Sequence, residues 1–494
     1  MSCDDSILLW FRRDLRLDDN AALNAALAAD RKVIPVFIWS PEEESPWQPG
    51  AAGNVWLHHS LIVLTEALRQ KGSDLLIKAG DSTKVLLDLC RKHSATAVHA
   101  NSVYEPFWIE RDRSLEKTLS QQGIEYKLFA GALLFDPFAI RSSQDKPFQV
   151  FTPYWKNCLL KDPSPGKPLP EPERMPAFRA ESGDSLASLS LLPEIHWHKG
   201  ILETWTPGLV EAALKLEKFL DSVVCNYANS RDLPFTEGTS RLSPYLHFGE
   251  ISPRRVFSAV QENLQRTNPL AKDAPRINGM KAVNSGEVYL RELGWREFAH
   301  HVLCNFPKTD SEALRDDYSR FPWRSAPEHL EAWQKGQTGY PMVDAGMREL
   351  WHTGWMHNRV RMIVASFLVK HLLLPWQDGS RWFWDTLVDA DLPNNSLGWQ
   401  WSAGCGADAA PYFRIFNPVL QGEKFDPQGK YVRRWVPEIS KLPDDYIHKP
   451  WAAPSLLLQS ARVELGKTYP APIVEHAMAR QRALSALSQL REKV

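Results

Sequence analysis

Five short apolar runs separated by helix-forming stretches fill the first 130 residues, and they leave this part of the chain few folds to choose from. The runs are ILLWF, VIPVFIW, DLLIKAG, ATAVHA and EYKLF. Between them lie DDNAALNAALAA, a segment from Val55 to Lys71, STKVLLDLCRKH and a stretch ending at Gln122. Strand-length runs that alternate with helices of ten or more residues predict a doubly wound parallel sheet. Such a sheet binds ligands beyond the carboxyl ends of its strands. The turns after Phe11 and Trp39 and the segment after Ala100 are therefore candidate ligand walls. The first turn reads RRDLRLDDN and lacks GxGxxG, so an ordinary dinucleotide site is not expected there.

Periodicity fades from Phe135 to Pro207, where LLKDPSPGKPLPEPERMPAF is dense in proline and charge, as a connector is. Its FQVFTPYWK is too apolar for a free linker and is expected to pack on a domain. Helices with apolar stripes follow, beginning GLVEAALKLEKFLDSVVCNYA. In ISPRRVF, Ser252 reads as an N-cap with Pro253 at the first helical position. The expected organisation is an α/β domain over 1–134, a connector over 135–207, a larger all-α domain over 208–480 and a closing helix end over 481–494.

The formal net charge of -1 excludes a uniformly basic nucleic-acid binder, so any DNA site has to be a local patch. Arg414, Lys424, Lys430, Arg433 and Arg434 are candidates, with a solvated charged face as the alternative. The six cysteines show no CxxC or other metal-like spacing, so no metal site is expected. No signal peptide and no run of eighteen apolar residues appears, which points to a cytoplasmic protein without membrane contact. No second interaction surface is legible, and a monomer is expected.

The richest chemistry lies between Trp351 and Trp401. A helix beginning at Asn358 carries Arg359 and Arg361 among the apolar Met362, Ile363, Phe367 and Leu368, and polar groups so placed need partners. Asp389, Asp391, Asn394, Asn395, Trp399 and Trp401 follow within thirteen residues. This set suits a flat ligand with one polar edge. Upstream, EGTSRLSPYLHFGEIS places the hydroxyls of Thr239, Ser240 and Ser243 around Arg241, which suits a pyrophosphate or, alternatively, an ordinary capped loop. In YLRELGWREFAHH, Glu292, Trp295 and Arg296 stand at i, i+3 and i+4 on one helical face. A salt bridge beside a core tryptophan is the other reading of that face.

The motifs TGWMHNRVRM, GWQW, DAAPYFRIFNP and EGTSRLSPYLHFGEISP resemble the photolyase and cryptochrome flavoproteins, most closely those that repair cyclobutane pyrimidine dimers, of class I or the related class III. The resemblance runs through nearly the whole chain and implies FAD as cofactor and UV-damaged DNA as partner. It implies that Tyr227, Thr239, Ser240, Arg241, Leu242, Ser243 and Arg296 hold the phosphates and ribityl chain. Arg361, paired with Asp389, together with Asp391 and Asn395, would surround the flavin ring. Glu292, Trp295, Asn358, Arg359, Met362 and Trp401 would meet the lesion, with Glu292 hydrogen-bonding it. Trp399, Trp376 and Trp323 match the family's electron-relay indoles, and His357 is expected to be structural.

Met362 stands where enzymes acting on (6-4) photoproducts have His, and Asn395 where plant-type signalling cryptochromes have Asp. The implied activity is light-driven dimer repair; a cryptochrome-type photoreceptor, a (6-4) photolyase and a light-independent flavin oxidoreductase are the alternatives. In a bacterium, DNA binding would place the protein at the nucleoid. The first domain is expected to hold an antenna, methenyltetrahydrofolate before deazaflavin or none, with Glu105 at its site. Phe107 and Trp108 replace the amide and carboxylate that folate-binding members carry there.

Overall fold

A computed structural model describes residues 5–160, 165–181, 183–267, 276–277, 280–281, 284–409 and 414–492. Positions 410–413 of the DAAPYFRIFNP motif and 161–164 and 182 of the connector lie outside them. The chain forms two compact units: residues 1–197, 206–225 and 240–305 make the first, and 198–205, 226–239 and 306–494 the second.

The first unit is built on five parallel strands, β1 (Ser6–Phe11), β2 (Lys32–Trp39), β3 (Leu76–Ala79), β4 (Ala95–Asn101) and β5 (Glu125–Phe129), in the order β3-β2-β1-β4-β5. The expected doubly wound sheet is thus present, and its order reverses between β1 and β4. Every residue of β1 is buried, which is why its sequence is a continuous apolar run rather than an alternating one. Helices α1 (Ala21–Leu27), α2 (Ala51–Gln70), α3 (Ser82–His93) and α4 (Pro106–Gln121) connect the strands. Leu115 and Leu119 of α4 join Leu8, Trp10, Val36 and Val98 in one core cluster, each fully buried leucine contributing about 2 kcal/mol. Helix α2 begins four residues ahead of the expected Val55, directly behind Gly50. Asp81 caps α3 by accepting from Lys84 N, and Ser94 ends it in the left-handed conformation.

The turn after Phe11 is not the open ligand wall expected of it. Arg12 makes a bidentate pair with Asp112 at 2.7 and 2.8 Å. Arg16 donates to Gly249 O and Gly131 O, both at 2.9 Å. Asp19 accepts from Ser252 Oγ at 2.5 Å and from Arg254 Nη2 at 2.6 Å, while Asp18 pairs with Arg255. Ser252 also caps its own helix, Pro253–Thr267, by accepting from Arg255 N, as expected. Gly249, at φ +65, permits the approach, because a Cβ there would lie 2.1 Å from Arg13 O.

The apolar FQVFTPYWK does pack, as part of a helix, Phe151–Leu160, that buries Phe151, Tyr154, Trp155 and Cys158. It lies along Ser285–Asn305: a Cβ on Gly294 would meet the Trp155 ring at 2.7 Å. Glu297 ties the connector down by accepting from Leu134 N and Phe135 N.

The second unit is helical. Pro341–Thr353 ends at Gly354 and Asn358–Ser366 starts behind His357. The latter runs into a π-helical turn, Phe367–Leu372, stopped by Leu373 at φ +55. Trp376–Thr386 and Leu392–Ala403 come next, and His476–Glu492 closes the described chain. Among the described residues no helix is long and apolar enough to cross a membrane, and no His/Cys/Asp/Glu group has metal-binding geometry.

Candidate functional site

In the second unit, Asn358, Arg359 and Met362 occupy the first turns of Asn358–Ser366, with Asn358 exposed and the other two half-buried. The helix can begin there because His357 Nδ1 accepts from Arg359 N at 3.2 Å, an N-cap made by an imidazole. Burial lowers the His357 pKa to about 4, and its Nε2 has no hydrogen-bond partner among the described residues. The neutral ring therefore carries its proton on Nε2. This agrees with a structural role for His357.

Arg361 and Asp389 pair at 2.8 Å with Asp389 buried, and Arg361 Nε donates to Met356 O at 2.7 Å. Asp391, read from the sequence as a flavin contact, commits one oxygen to capping Leu392–Ala403, accepting from Asn394 N at 3.0 Å and Asn394 Nδ2 at 2.7 Å. Its cap was legible in DLPNN, since Asp followed closely by Pro is a helix-start signature. Half-buried Asn395 donates from Nδ2 to both Ser380 O and Ser380 Oγ at 3.0 Å. A backbone carbonyl can only accept, so the amide orientation is set and the Asn395 carbonyl oxygen is the group left to accept a proton donor.

Trp399 is buried, with Phe383 at 5.0 Å and Trp333 at 6.1 Å edge-on. Its ring lies on Gly379, where a Cβ would fall 2.1 Å from Trp399 Cη2. Gly379 is three residues beyond Trp376 on the same helix, so the two indoles are brought to one helical face. Trp323 stacks at a tilt on Phe321 at 4.4 Å, and the next residue, Arg324, donates its N–H to Leu373 O. Trp401 is half-buried, and Tyr227 is buried at the start of Tyr227–Ser230 with Arg231 over its ring at 5.4 Å. Gly379, Ser380, Phe383 and Trp333 were missed in the sequence; none belongs to a local motif.

In the first unit, Ser240–Leu242 leads into Ser243–His247, and Arg241 sits at φ +52, a strained conformation of the kind that clusters at ligand sites. Ser240 Oγ accepts from Tyr289 Oη at 3.2 Å, joining the hydroxyl block to Ser285–Asn305. On that helix Glu292 is half-buried, and Trp295 has one face covered by Phe151, with centroids 3.9 Å apart and planes 11° from parallel. Phe151 is a partner that no spacing pattern announced. Arg296 donates to Ala132 O, at the end of the α/β segment, at 3.0 Å and lies 3.5 Å from Glu297.

Within the second unit the donor and acceptor set fits a flavin ring: a fixed amide with a carbonyl to offer, an ion pair whose carboxylate is buried, and a buried indole whose Nε1 has no partner among the described residues. Comparisons with known proteins agree. Residues 7–173 match the DNA photolyase family model and 289–489 the FAD binding domain of DNA photolyase. The chain is 44% identical to the deoxyribodipyrimidine photo-lyase of Agrobacterium fabrum over 488 residues, 98% of each chain. The chain belongs to the DNA photolyase and cryptochrome family. Cryptochrome-2 of Arabidopsis thaliana is 42% identical across 100% of this chain and 80% of that protein. A bacterial class III photolyase from Agrobacterium tumefaciens superposes with a TM-score of 0.92 at 44% identity, covering 99% of this chain and 98% of that one. An archaeal photolyase from Sulfolobus tokodaii, solved with two FAD molecules, gives 0.80 at 31% identity over 98% and 100%.

The segment after Ala100, expected from the sequence to line an antenna site, is dense with charge. Glu105, at the residue before α4, makes no side-chain cap; it accepts from Arg13 Nη1 at 2.6 Å, and Arg13 Nη2 also reaches Glu44 at 3.4 Å. Burial lifts Glu44 to about 7, Arg13 opposing the shift and Glu105 adding to it. Trp108 is buried, with the Arg111 guanidinium 3.7 Å from its ring centroid.

Proposed function

We propose that this photolyase-family chain is a deoxyribodipyrimidine photo-lyase that repairs cyclobutane pyrimidine dimers in UV-damaged DNA with light. The observation that carries the reading is Asn395, its amide fixed by Ser380, within a chain akin over its full length to an enzyme of that name. When bound, reduced FAD supplies the excited electron that opens the dimer and accepts it back afterwards. The chain's residues arrange for that exchange. Asn395 offers a carbonyl oxygen to a ring N–H, and the Arg361–Asp389 pair places a compensated charge pair at the ring's polar edge. Tyr227 and Thr239 to Ser243 bind the phosphates and ribityl chain, and Arg296, which also donates to Ala132 O, assists them.

Trp399, Trp376 and Trp323 relay an electron inward from the surface. Glu292 hydrogen-bonds the extruded dimer, Trp295 offers its uncovered face for stacking, and Asn358, Arg359, Met362 and Trp401 complete the lesion contacts. The antenna is methenyltetrahydrofolate, with a deazaflavin as the alternative, held near Arg13, Glu44 and Glu105. The enzyme acts as a monomer in the cytoplasm, at the nucleoid in a bacterium.

The test is repair of UV-irradiated oligothymidylate by the reduced, FAD-loaded protein, in blue light and in darkness, followed by recovery of thymine absorbance. Light-dependent recovery is expected. Its absence with fully reduced FAD bound overturns the proposal.

A further inference from the structure

Arg359 is held ready rather than engaged. Its Nη2 pairs with Asp232 at 2.8 Å, its guanidinium lies 4.5 Å from the Phe425 ring centroid, and Nη1 reaches only Met362 Sδ, at 3.9 Å. Its Nε has no hydrogen-bond partner among the described residues. A guanidinium in this state has donors to spare for a second acceptor. Asp232 is the carboxylate that occupies it, and its side chain stays about one-third exposed, at 35%.

Asp232 is presented by a closed loop. Leu233 N donates to Ser230 O at 3.0 Å and Thr236 N to Leu233 O at 3.1 Å. Ser230 Oγ donates to Gly238 O at 3.4 Å, and the chain passes so near itself that a Cβ on Gly238 would lie 2.5 Å from Ser230 O. Around this loop, Arg231 lies over Tyr227, Lys430 over Phe235 at 5.5 Å and Lys424 over Phe425 at 5.0 Å. Aromatic faces hold these cations in place, and the Asp232 carboxylate is presented beside Arg359.

We propose that Asp232 is a specificity-determining residue that holds Arg359 off undamaged DNA, standing in for a backbone phosphate that replaces it only when lesion-bearing DNA is seated. This rests on the dimer-repair reading and adds a residue to it. A carboxylate at this place repels the phosphates of any DNA approaching the cationic strip. On undamaged DNA the Asp232 pair survives. On a dimer-containing site the seated strand brings a phosphate to the spare donors of Arg359, and the pair is exchanged.

The salt dependence of binding separates these states, because each phosphate contact adds about 0.9 to the slope of log K against log salt on duplex DNA. The FAD-loaded wild type, Asp232→Asn and Asp232→Glu are titrated with a duplex carrying one thymine dimer and with the same duplex undamaged. For Asp232→Asn the undamaged slope should steepen by about 0.9, because Arg359 now contacts phosphate there too, while the dimer slope stays put. Undamaged DNA should then bind about fivefold tighter, the loss of one partly exposed ion pair. Asp232→Glu, which keeps the charge, should retain the wild-type discrimination.

Should Asp232→Asn not fold, Arg359→Gln decides the matter: the dimer slope alone should fall, and an equal fall on both duplexes overturns the assignment. If wild type prefers the dimer duplex and Asp232→Asn changes neither slope, Asp232 has no such role and the repair reading stands. If wild type shows no preference, the repair reading falls and takes this assignment with it.

Discussion

Two helical glycines near the indoles offer a matched experiment. Gly379 and Gly398 both lie inside regular helices, where alanine is favoured over glycine by about 1 kcal/mol. A methyl at Gly398 meets nothing within 4 Å. A methyl at Gly379 falls 2.1, 2.5 and 2.6 Å from Cη2, Cζ3 and Cζ2 of Trp399. Ordinary carbon contacts are about 3.5 Å or longer, so the indole would have to retreat by about 1.4 Å. Phe383 and Trp333 stand against it, and Trp399 is only 2% exposed. Overpacking of this kind costs about 3 kcal/mol, which leaves a net loss of about 2 kcal/mol after the helix-propensity gain.

For a unit of this size that corresponds to a midpoint lower by about 6 °C for Gly379→Ala, against a rise of about 3 °C for Gly398→Ala. Thermal unfolding of the FAD-loaded protein measures both. Photoreduction of oxidised FAD, followed by the bleaching of its blue absorbance in the presence of a thiol, should slow in Gly379→Ala because Trp399, proposed above as a relay indole, is displaced. A Gly379→Ala protein as stable as wild type, with unchanged photoreduction, would refute the packing argument.

Three further outcomes are expected. Burial raises Glu250 to about 8 although Ser60 Oγ and Trp56 Nε1 donate to it, so the folded state binds this proton more tightly than the unfolded chain. Its stabilising contribution is complete below pH 4.5 and is lost as pH rises toward 8, by a few kcal/mol at most; melting temperatures of Glu250→Gln should fall less than wild type between pH 5 and 8. His357→Ala should cost about 1 kcal/mol by removing a helix cap, and His357→Asn should restore most of it, as read by denaturant unfolding. The depressed pKa of His357 adds a loss of stability in wild type as pH falls from 6.5 toward 4, because only the unfolded chain takes up that proton readily, and His357→Asn should lack this loss. Asp389→Asn, which leaves Arg361 without its carboxylate, should cost about 3 kcal/mol and release FAD on gel filtration, where wild type retains it.

The sheet was legible because its central strands β1, β2 and β4 are short apolar runs buried almost throughout, set at regular intervals between helix-length segments. The Ser252 cap and the Arg361–Asp389 pair were equally open to reading, one from local chemistry and the other from an extended motif. Helix Phe151–Leu160 was not, since the residues that make its apolar face useful, Gly294 and Trp295, come some 140 positions later. The charged first turn looked like a place for a ligand because its partners are as distant. Asn395 could be named from its motif, but Ser380, which orients it, lies fifteen residues away on another helix and has no periodic signature. Arg296 shows the opposite case: helical spacing placed it correctly on the face of Glu292 and Trp295, yet a long side chain chooses among acceptors that spacing does not see.

The bracket between the first turn and Gly249 to Arg255 has a consequence for synthesis. Arg16 and Asp19 are buried side chains, and residues more than 230 positions downstream supply a large share of their bonds. A nascent chain that has emerged only as far as the end of β5 holds the strands of its sheet but has buried charges it cannot yet satisfy. Completion of the amino-terminal sheet thus waits on translation of Arg255, at least 10 seconds behind the first turn at ordinary elongation rates of about 5–20 residues per second. Cutting the gene between these points yields two halves that each lack a partner, so the amino-terminal sheet cannot be exchanged as a cassette without carrying the Ser252 helix along with it.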